Sequence, residues 1–173
     1  NLKDFTIPLR TTTIGKYAFS GCNSLTHIDI PKNVTTIGGV AFKSCSNLES
    51  ITLREGLTEI GFSAFEGCSK LKNVNIPDGI KTIYYGTFYD CSSLESVTLP
   101  NSITTINNSA FRNCSSLSTI TIPESVTTIE GSVFYGCNKL KSFAGKFASA
   151  DGRALIVSNC LIAFAPYGLS NYN

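Results

Sequence analysis

Apolar residues return along this chain every 23 positions, with polar residues filling the intervals. Phe19, Phe42, Phe65, Phe88, Phe111 and Phe134 keep step with Cys22, Cys45, Cys68, Cys91, Cys114 and Cys137. Leu25, Leu48, Leu71, Leu94, Leu117 and Leu140 hold the same period, as do Ile14, Ile37, Ile60, Ile83, Ile106 and Ile129. One unit reads A-F-x-x-C-x-x-L-x-x-I-x-I-P-x-x-V-T-x-I, with Ile, Val and Leu interchanging at the aliphatic positions. A unit so short cannot enclose a core of its own, so each must bury its apolar edge against its neighbours, and the chain is predicted to wind into a solenoid. The repeated residues are thereby committed to the inside. Function has to be carried by the faces.

Each unit predicts two strands and a tight turn. Ile28 and Ile30 alternate with His27 and Asp29, the period of a strand with one buried side. Parallel strands are therefore expected to start near Leu25, Leu48, Leu71, Leu94 and Leu117. Pro31, matched by Pro8, Pro77, Pro100 and Pro123, lacks a ladder donor and ends the strand in the same register each time. Arg54 replaces it once, which predicts a softer stop there. Val34-Thr35-Thr36-Ile37, repeated at 103–106 and 126–129, is β-branched and reads as a shorter strand on the back of the coil. Ala41-Phe42-x-x-Cys45 is long enough only for a single helical or 3-10 turn, with Phe42 and Cys45 on one inward side.

The cysteine column suggests disulfide or metal chemistry, but its geometry opposes both. Equivalent residues of successive coils stand roughly 4.8 Å apart and point the same way, whereas a disulfide needs converging Cβ atoms and zinc needs ligands around a tetrahedron. The column is expected to be reduced, buried and apolar. Cys160 also falls on the period, outside the template.

Composition adds exclusions. The chain has 173 residues, 42% hydrophobic and 15% charged, the balance of a folded protein. Its net charge of +2, without a basic run or stripe, gives no footprint for nucleic acid. No apolar run approaches the ~18 residues of a membrane span. The start at Asn1 and the lack of methionine read as a mature product or an excised fragment.

The L-x-x-I-x-I strand followed by P-x-x-V-T-x-I and A-F-x-x-C, seen at Leu71 to Cys91 and Leu94 to Cys114, resembles the BspA-type leucine-rich repeat. The likeness covers about residues 1–147. It implies a right-handed leucine-rich-repeat solenoid of class α/β, β-rich, with 23-residue repeats, the parallel sheet on the concave face, and short helical or 3-10 turns and short strands on the back. Such proteins are typically secreted or surface-displayed by anaerobic bacteria of gut and mouth, with relatives in some parasitic protists. They act in adhesion, and some bind host matrix or plasma proteins such as fibronectin and fibrinogen. The resemblance therefore implies an extracellular or cell-surface module whose partner is a host protein or a glycan, and it carries no ligand motif onto numbered positions.

Residues 148–167 leave the template. Ala154 to Val157 and Cys160 to Phe164 flank Ser158-Asn159 as a β-hairpin, similar to an element that interrupts arrays in surface leucine-rich repeat proteins of gut Bacteroides. It reads as an insertion or a cap, with Leu155, Val157, Leu161 and Phe164 inward. Residues 168–173 repeat the spacing of the first residues and read as the start of a further unit. Open ends of such an array predict possible end-to-end self-association.

No catalytic constellation is present. His27 is the one histidine, with no reactive serine, thiol or second imidazole beside it, and no glycine-rich phosphate loop occurs. An enzyme is not expected, nor a metal site, nor a cofactor. Asn33, Asn107 and Asn113 begin N-x-[S/T] triplets, which matter only in a eukaryotic secretory host.

Two surfaces remain as candidate binding sites. The front strands expose His27, Ser50, Asn73, Ser96, Thr119 and Ser142 in one column and Asp29, Thr52, Asn75, Thr98 and Thr121 in the next, a polar face short of the Tyr, Trp and Arg anchors that dominate affinity. The second surface holds Phe62, Tyr84, Tyr85, Tyr89 and Tyr135, at positions where other units carry Gly, Asn, Glu, Lys or Arg. The fold does not require those aromatics, so they either cover the core or form an adhesive patch. The functional reading is a non-enzymatic binding module; the rival is an architectural spacer within a larger surface protein.

Overall fold

The computed structural model describes residues 5–157 and 160–164. Short strands, numbered in chain order, alternate between two sides of the coil. The back carries β1 (Thr13–Ile14), β3 (Thr36–Ile37), β5 (Glu59–Ile60), β7 (Thr82–Ile83), β9 (Thr105–Ile106) and β11 (Thr128–Ile129). The front carries β2 (His27–Asp29), β4 (Ser50–Thr52), β6 (Asn73–Asn75), β8 (Ser96–Thr98), β10 (Thr119–Ile122) and β12 (Ser142–Gly145). Every pairing among them is parallel and joins equivalent residues of neighbouring coils, such as Ile28 with Ile51 and Ile37 with Ile60. The chain is a parallel β-solenoid.

Inside, the periodic residues form columns. The Phe19 to Phe134 rings stack with centroids 5.0–5.8 Å apart and planes within 2–12° of parallel. From Phe42 to Phe111 they are fully buried, so truncating one to alanine should cost about 3–5 kcal/mol. The thiols run alongside. Cys45, Cys68, Cys91, Cys114 and Cys137 are buried and free, while Cys22 at the first coil is half-buried. Each buried thiol donates to the carbonyl of a phenylalanine in the preceding coil, as Cys68 Sγ does to Phe42 O at 3.2 Å. The weak donor thus adds a second bond to a carbonyl that already accepts from its own turn, as Phe42 O does from the Cys45 N–H at 3.1 Å.

The segments expected to be helical or 3-10 are neither; no helix occurs among the described residues. They are successive β-turns, because alternate N–H groups point in different directions. Ala18, Ser20 and Cys22 donate back three residues within the coil, to Gly15, Tyr17 and Phe19. Tyr17, Phe19 and Gly21 donate instead to Gly39, Ala41 and Lys43 of the next coil. Left-handed backbone every fourth residue makes this alternation possible. It falls on Tyr17 and Gly21, then on Val40 and Ser44, where φ is 63° and 59°. For a β-branched residue such as Val40 that conformation is strained, and the inter-coil ladder holds it. Phe and Cys three apart face inward in a helix and in this turn alike.

The strand ends differ in one detail from expectation. Arg54 does not soften the stop: β4 ends at Thr52, in register with the Asp29 end of β2 and the Asn75 end of β6. In place of a proline ring, the Arg54 guanidinium returns to Asp29, with Nη2 2.8 Å from Oδ2 and Nε 3.1 Å from Oδ1.

The ladders are not uniform. The front strands pair in twos, β2 with β4, β6 with β8 and β10 with β12, while the back forms β1-β3-β5 and β7-β9-β11. Between β4 and β6, and between β5 and β7, neither ladder continues. Among the described coils this is the one seam where both are interrupted together. The turn column crosses it intact, with Ser63, Phe65 and Gly67 donating to Tyr85, Thr87 and Tyr89 at 2.8–2.9 Å.

After β12 the chain forms an antiparallel hairpin, β13 (Ala154–Val157) with β14 (Cys160–Phe164). It lies on the last coil: Leu155 is buried and Ile156 N–H donates to Phe147 O at 2.8 Å. Leu161, expected inward, is 63% exposed. A register shift at Leu155 and Ile156 pairs Ile156 with Leu161 and Leu155 with Ala163, so Ile162 and Ala163 pack against the core in its place. The side chains of Val157 and Phe164, and residues 168–173, lie outside the described residues.

Candidate binding face

The turns that close each coil stack into a third face, and its side chains follow the same period. At one outward position stand Lys16, Gly39, Phe62, Tyr85, Asn108 and Gly131; four residues on stand Ser20, Lys43, Glu66, Tyr89, Arg112 and Tyr135. The repeat asks nothing of the side chains at either position, because the main-chain carbonyls there already accept from the preceding coil, as Tyr85 O does from Ser63 and Tyr89 O from Gly67. Tyr85 is 55% exposed and Tyr135 64%. Phe62 is exposed as well and Tyr89 half-buried.

Two aromatic groups result. Lys16 Nζ sits 5.2 Å from the ring centres of both Tyr17 and Phe62, and the Phe62 ring lies over Gly39, where a Cβ would meet it at 2.6 Å. Further along, the Arg112 guanidinium stands 4.6 Å from the Tyr135 ring centre and 5.9 Å from that of Tyr89. Glu66, Tyr85, Tyr89, Ser109 and Arg112 line a notch of about 380 Å³. Lys43 and Glu66 form an ion pair at 2.9 Å, and that hydrogen bond raises the Lys43 pKa above its ordinary value. Arg112 Nε is buried with no hydrogen-bond partner. Tyr84 is not part of this arrangement. It lines a separate cleft with Thr58, Glu59, Gly79, Lys81 and Thr82, over the interrupted seam.

The front face is different in kind. Its exposed side chains bond largely to one another: His27 Nδ1 lies 2.8 Å from Ser50 Oγ, Ser96 Oγ donates to Asn73 Oδ1 at 2.6 Å, and Thr119 and Ser142 hydroxyls lie 3.4 Å apart. Asp29 is held by Arg54. Thr52, Asn75, Thr98 and Thr121 stand beside them without a charge or a ring. Such a surface has already satisfied much of its own hydrogen bonding, and it offers no large anchor.

The structure therefore brings Tyr85, Tyr89 and Tyr135 onto one face with Arg112 and Glu66, which the sequence reading did not single out. Their signal was positional: both fall on the Tyr89 and Tyr135 period. Among the described residues no group of three or more His, Cys, Asp or Glu side chains could hold a metal ion, and no helix is long and apolar enough to cross a membrane.

Comparison with known proteins gives one family. The family described as BspA type leucine rich repeat region matches in six copies, over residues 1–92 and 35–150. Among solved structures, a leucine-rich repeat protein from Eubacterium ventriosum is 37% identical with a TM-score of 0.76, the match covering 88% of this chain and 41% of that one. A leucine rich cell surface protein from Faecalibacterium prausnitzii is 29% identical with a TM-score of 0.63, covering 90% of this chain and 50% of that one. This chain thus spans half the length of these two proteins or less. No curated protein matches it.

Proposed function

Because the chain belongs to the BspA type leucine-rich repeat family, we propose that it is a non-enzymatic binding module of the cell surface or extracellular space, and that its turn face carries the ligand. The observation behind this reading is the placement of Tyr85 and Tyr135, exposed at positions the repeat leaves free, around an arginine. Tyrosine and arginine bring large contact area at low entropic cost, which is why they dominate affinity at interfaces. The partner is a host matrix or plasma protein, or a glycan. Cell-surface placement is supported by the relative from Faecalibacterium, a cell surface protein.

The test is a screen of the soluble protein against immobilised matrix proteins, plasma proteins and a glycan panel, repeated with a Tyr85→Ala, Tyr135→Ala double variant and with a front-face Ser96→Glu, Thr98→Lys variant. Binding weakened at least about 10-fold by the first pair and unchanged by the second is the expected result. The reverse pattern would move the site to the front sheet. A chain that retains nothing would instead be a spacer between other parts of its protein.

A further inference from the structure

Resting on that reading of the turn face, the geometry points to a subsite there for a carboxylated pyranose, the acidic sugar residue of a glycan, with Arg112 as the group that reads the carboxylate. Arg112 is positioned but unpaired. Its planar guanidinium lies against the Tyr135 and Tyr89 rings, 4.6 and 5.9 Å from their centres. Stacking of this kind fixes the fork in one orientation before any ligand arrives. Among the described residues no carboxylate takes it up. Glu66 is bonded to Lys43 at 2.9 Å, Asp90 accepts from Asn113 Nδ2 at 2.8 Å, and Glu130 accepts from the Asn108 N–H at 2.7 Å. Nε is buried without an acceptor, an uncommon state for a donor on a charged group, and because it is closed to solvent a ligand would meet the terminal nitrogens of the fork. A ligand carboxylate is the natural partner for that fork.

The rest of the notch describes what the carboxylate is attached to. Tyr85 and Tyr89 supply flat apolar walls, and Glu66 and Ser109 supply oxygen acceptors, within about 380 Å³. Ser109 Oγ spends its proton on Asn108 Oδ1 at 2.6 Å, so it meets a ligand hydroxyl as an acceptor. A ring with an apolar face, a carboxylate and several hydroxyls matches this set. An extended peptide has less to hold. Main-chain donors of this face are already spent, Phe88 on Ala110 O at 2.9 Å and Asp90 on Arg112 O at 3.0 Å between coils and Tyr89 on Gly86 O at 3.0 Å within one, so no open ladder exists for a strand to join.

The experiment uses glycans ending in glucuronic or sialic acid, the same glycans after the carboxyl is reduced to an alcohol, and free glucuronic acid and glucose, titrated by calorimetry and ligand-observed NMR. The wild type should bind the acidic forms at least about 10-fold more tightly than the reduced ones. Arg112→Gln should abolish that preference, Arg112→Lys should keep only part of it, and Tyr85→Leu should weaken acidic and reduced forms alike. Thermal melts establish that each variant is folded. Saturation by free glucuronic acid would identify the monosaccharide as sufficient, and binding of glycan termini alone would add neighbouring sugars; both support the subsite. Equal binding of acidic and reduced forms, or an unchanged preference in Arg112→Gln, overturns it. So does capture of a protein through Tyr85 and Tyr135 with no acidic sugar bound, an outcome that would leave the turn face standing as the binding surface.

Discussion

The coils before and after the seam between β5 and β7 are built from the same template, yet they stack differently. Before it, Gly15, Gly38 and Gly61 lie over one another on the back edge. A Cβ on Gly38 would stand 2.7 Å from Lys16 N, and one on Gly61 2.4 Å from Gly39 N. The close approach of these coils depends on the missing side chain. From Tyr84 onward the same position carries Tyr84, Asn107 and Glu130, each with a Cβ. Where the second kind of coil meets the first, the back ladder opens. Gly38 and Gly61 donate to Ile14 O and Ile37 O, and Asn107 and Glu130 to Ile83 O and Ile106 O, all at 2.8–2.9 Å, but Tyr84 makes no such bond to Ile60. A second support is missing at the same seam, as it is also one coil earlier, where Gly56 stands at the same position. Ser102 and Ser125 hydroxyls hold the carbonyls of Ile80 and Ile103 in the preceding coil at 2.7 Å, while Gly79 has no side chain to offer Leu57. In an array where each coil touches only its neighbours, one position can set the strength of one interface and leave the others unchanged.

The sharpest way to break this comparison is to place a side chain on each side of it. Gly61→Val would drive a Cβ into backbone that cannot move aside, and should lower unfolding free energy by about 3 kcal/mol, the upper end of the cost of overpacking. Gly131→Ala, in the later coils, would find nothing closer than Asn108 Nδ2 at 4.0 Å and should stay within about 0.5 kcal/mol of the wild type. Denaturant melts of the two variants decide it. Equal losses would mean that the two kinds of coil do not differ in approach.

Hydrogen exchange gives a smaller and more local reading. The Lys81 and Tyr84 amides lack the inter-coil acceptors that Thr58, Gly61, Thr104 and Asn107 have. They should exchange faster than those four by on the order of 10-fold. Protection of Lys81 and Tyr84 at the level of their periodic equivalents would show the seam to be closed in solution.

The period itself exposed most of this architecture. Ile28 against His27 and Asp29 sufficed to place a front strand, and the Cys45 column declared its burial because parallel side chains cannot converge on a bond or a metal. The turns were misread because Phe42 and Cys45, three apart, satisfy the same inward requirement in a helical turn and in successive β-turns; what separates the two is where the Val40 and Phe42 amides donate, which depends on the neighbouring coil. The hairpin was misread at Leu161 for a related reason, since one shift of register reverses which residues face inward. On the candidate site, Tyr85, Tyr89 and Tyr135 stood out because the template does not need them. Arg112 and Glu66 did not, because a charge at an exposed repeat position is the ordinary case, and only the tyrosines a period away on either side of Arg112 mark it as different. The change at Tyr84 was visible as an aromatic but not as a loss of glycine, whose meaning lies in how closely the coils approach.

The smallest expected effect concerns the thiols, and it tests whether the seam is a local defect or a division of the molecule. Cys91 Sγ donates across it to Phe65 O at 3.2 Å, as Cys114 does to Phe88 O across the next, uninterrupted interface. The Phe65 and Phe88 rings also stay stacked across the seam at 5.5 Å. If the opening is confined to the two strand ladders, Cys91 and Cys114 should react with a thiol reagent at the same slow rate. Burial raises the pKa of both well above the ordinary 9.0 and that of Cys137 to about 12, so at pH 8 each is a protonated, inaccessible thiol. Cys22, half-buried at the first coil, should label first. Raising the pH past 9 favours the unfolded chain, whose thiols ionise near their ordinary value while Cys91, Cys114 and Cys137 stay protonated in the folded one, so their contribution to stability should fall from there upward. Labelling followed by peptide mass spectrometry at pH 8 separates the cases. Cys91 reacting as fast as Cys22 would mean that the turn column parts as well, and the array would then be two stacks joined at a hinge.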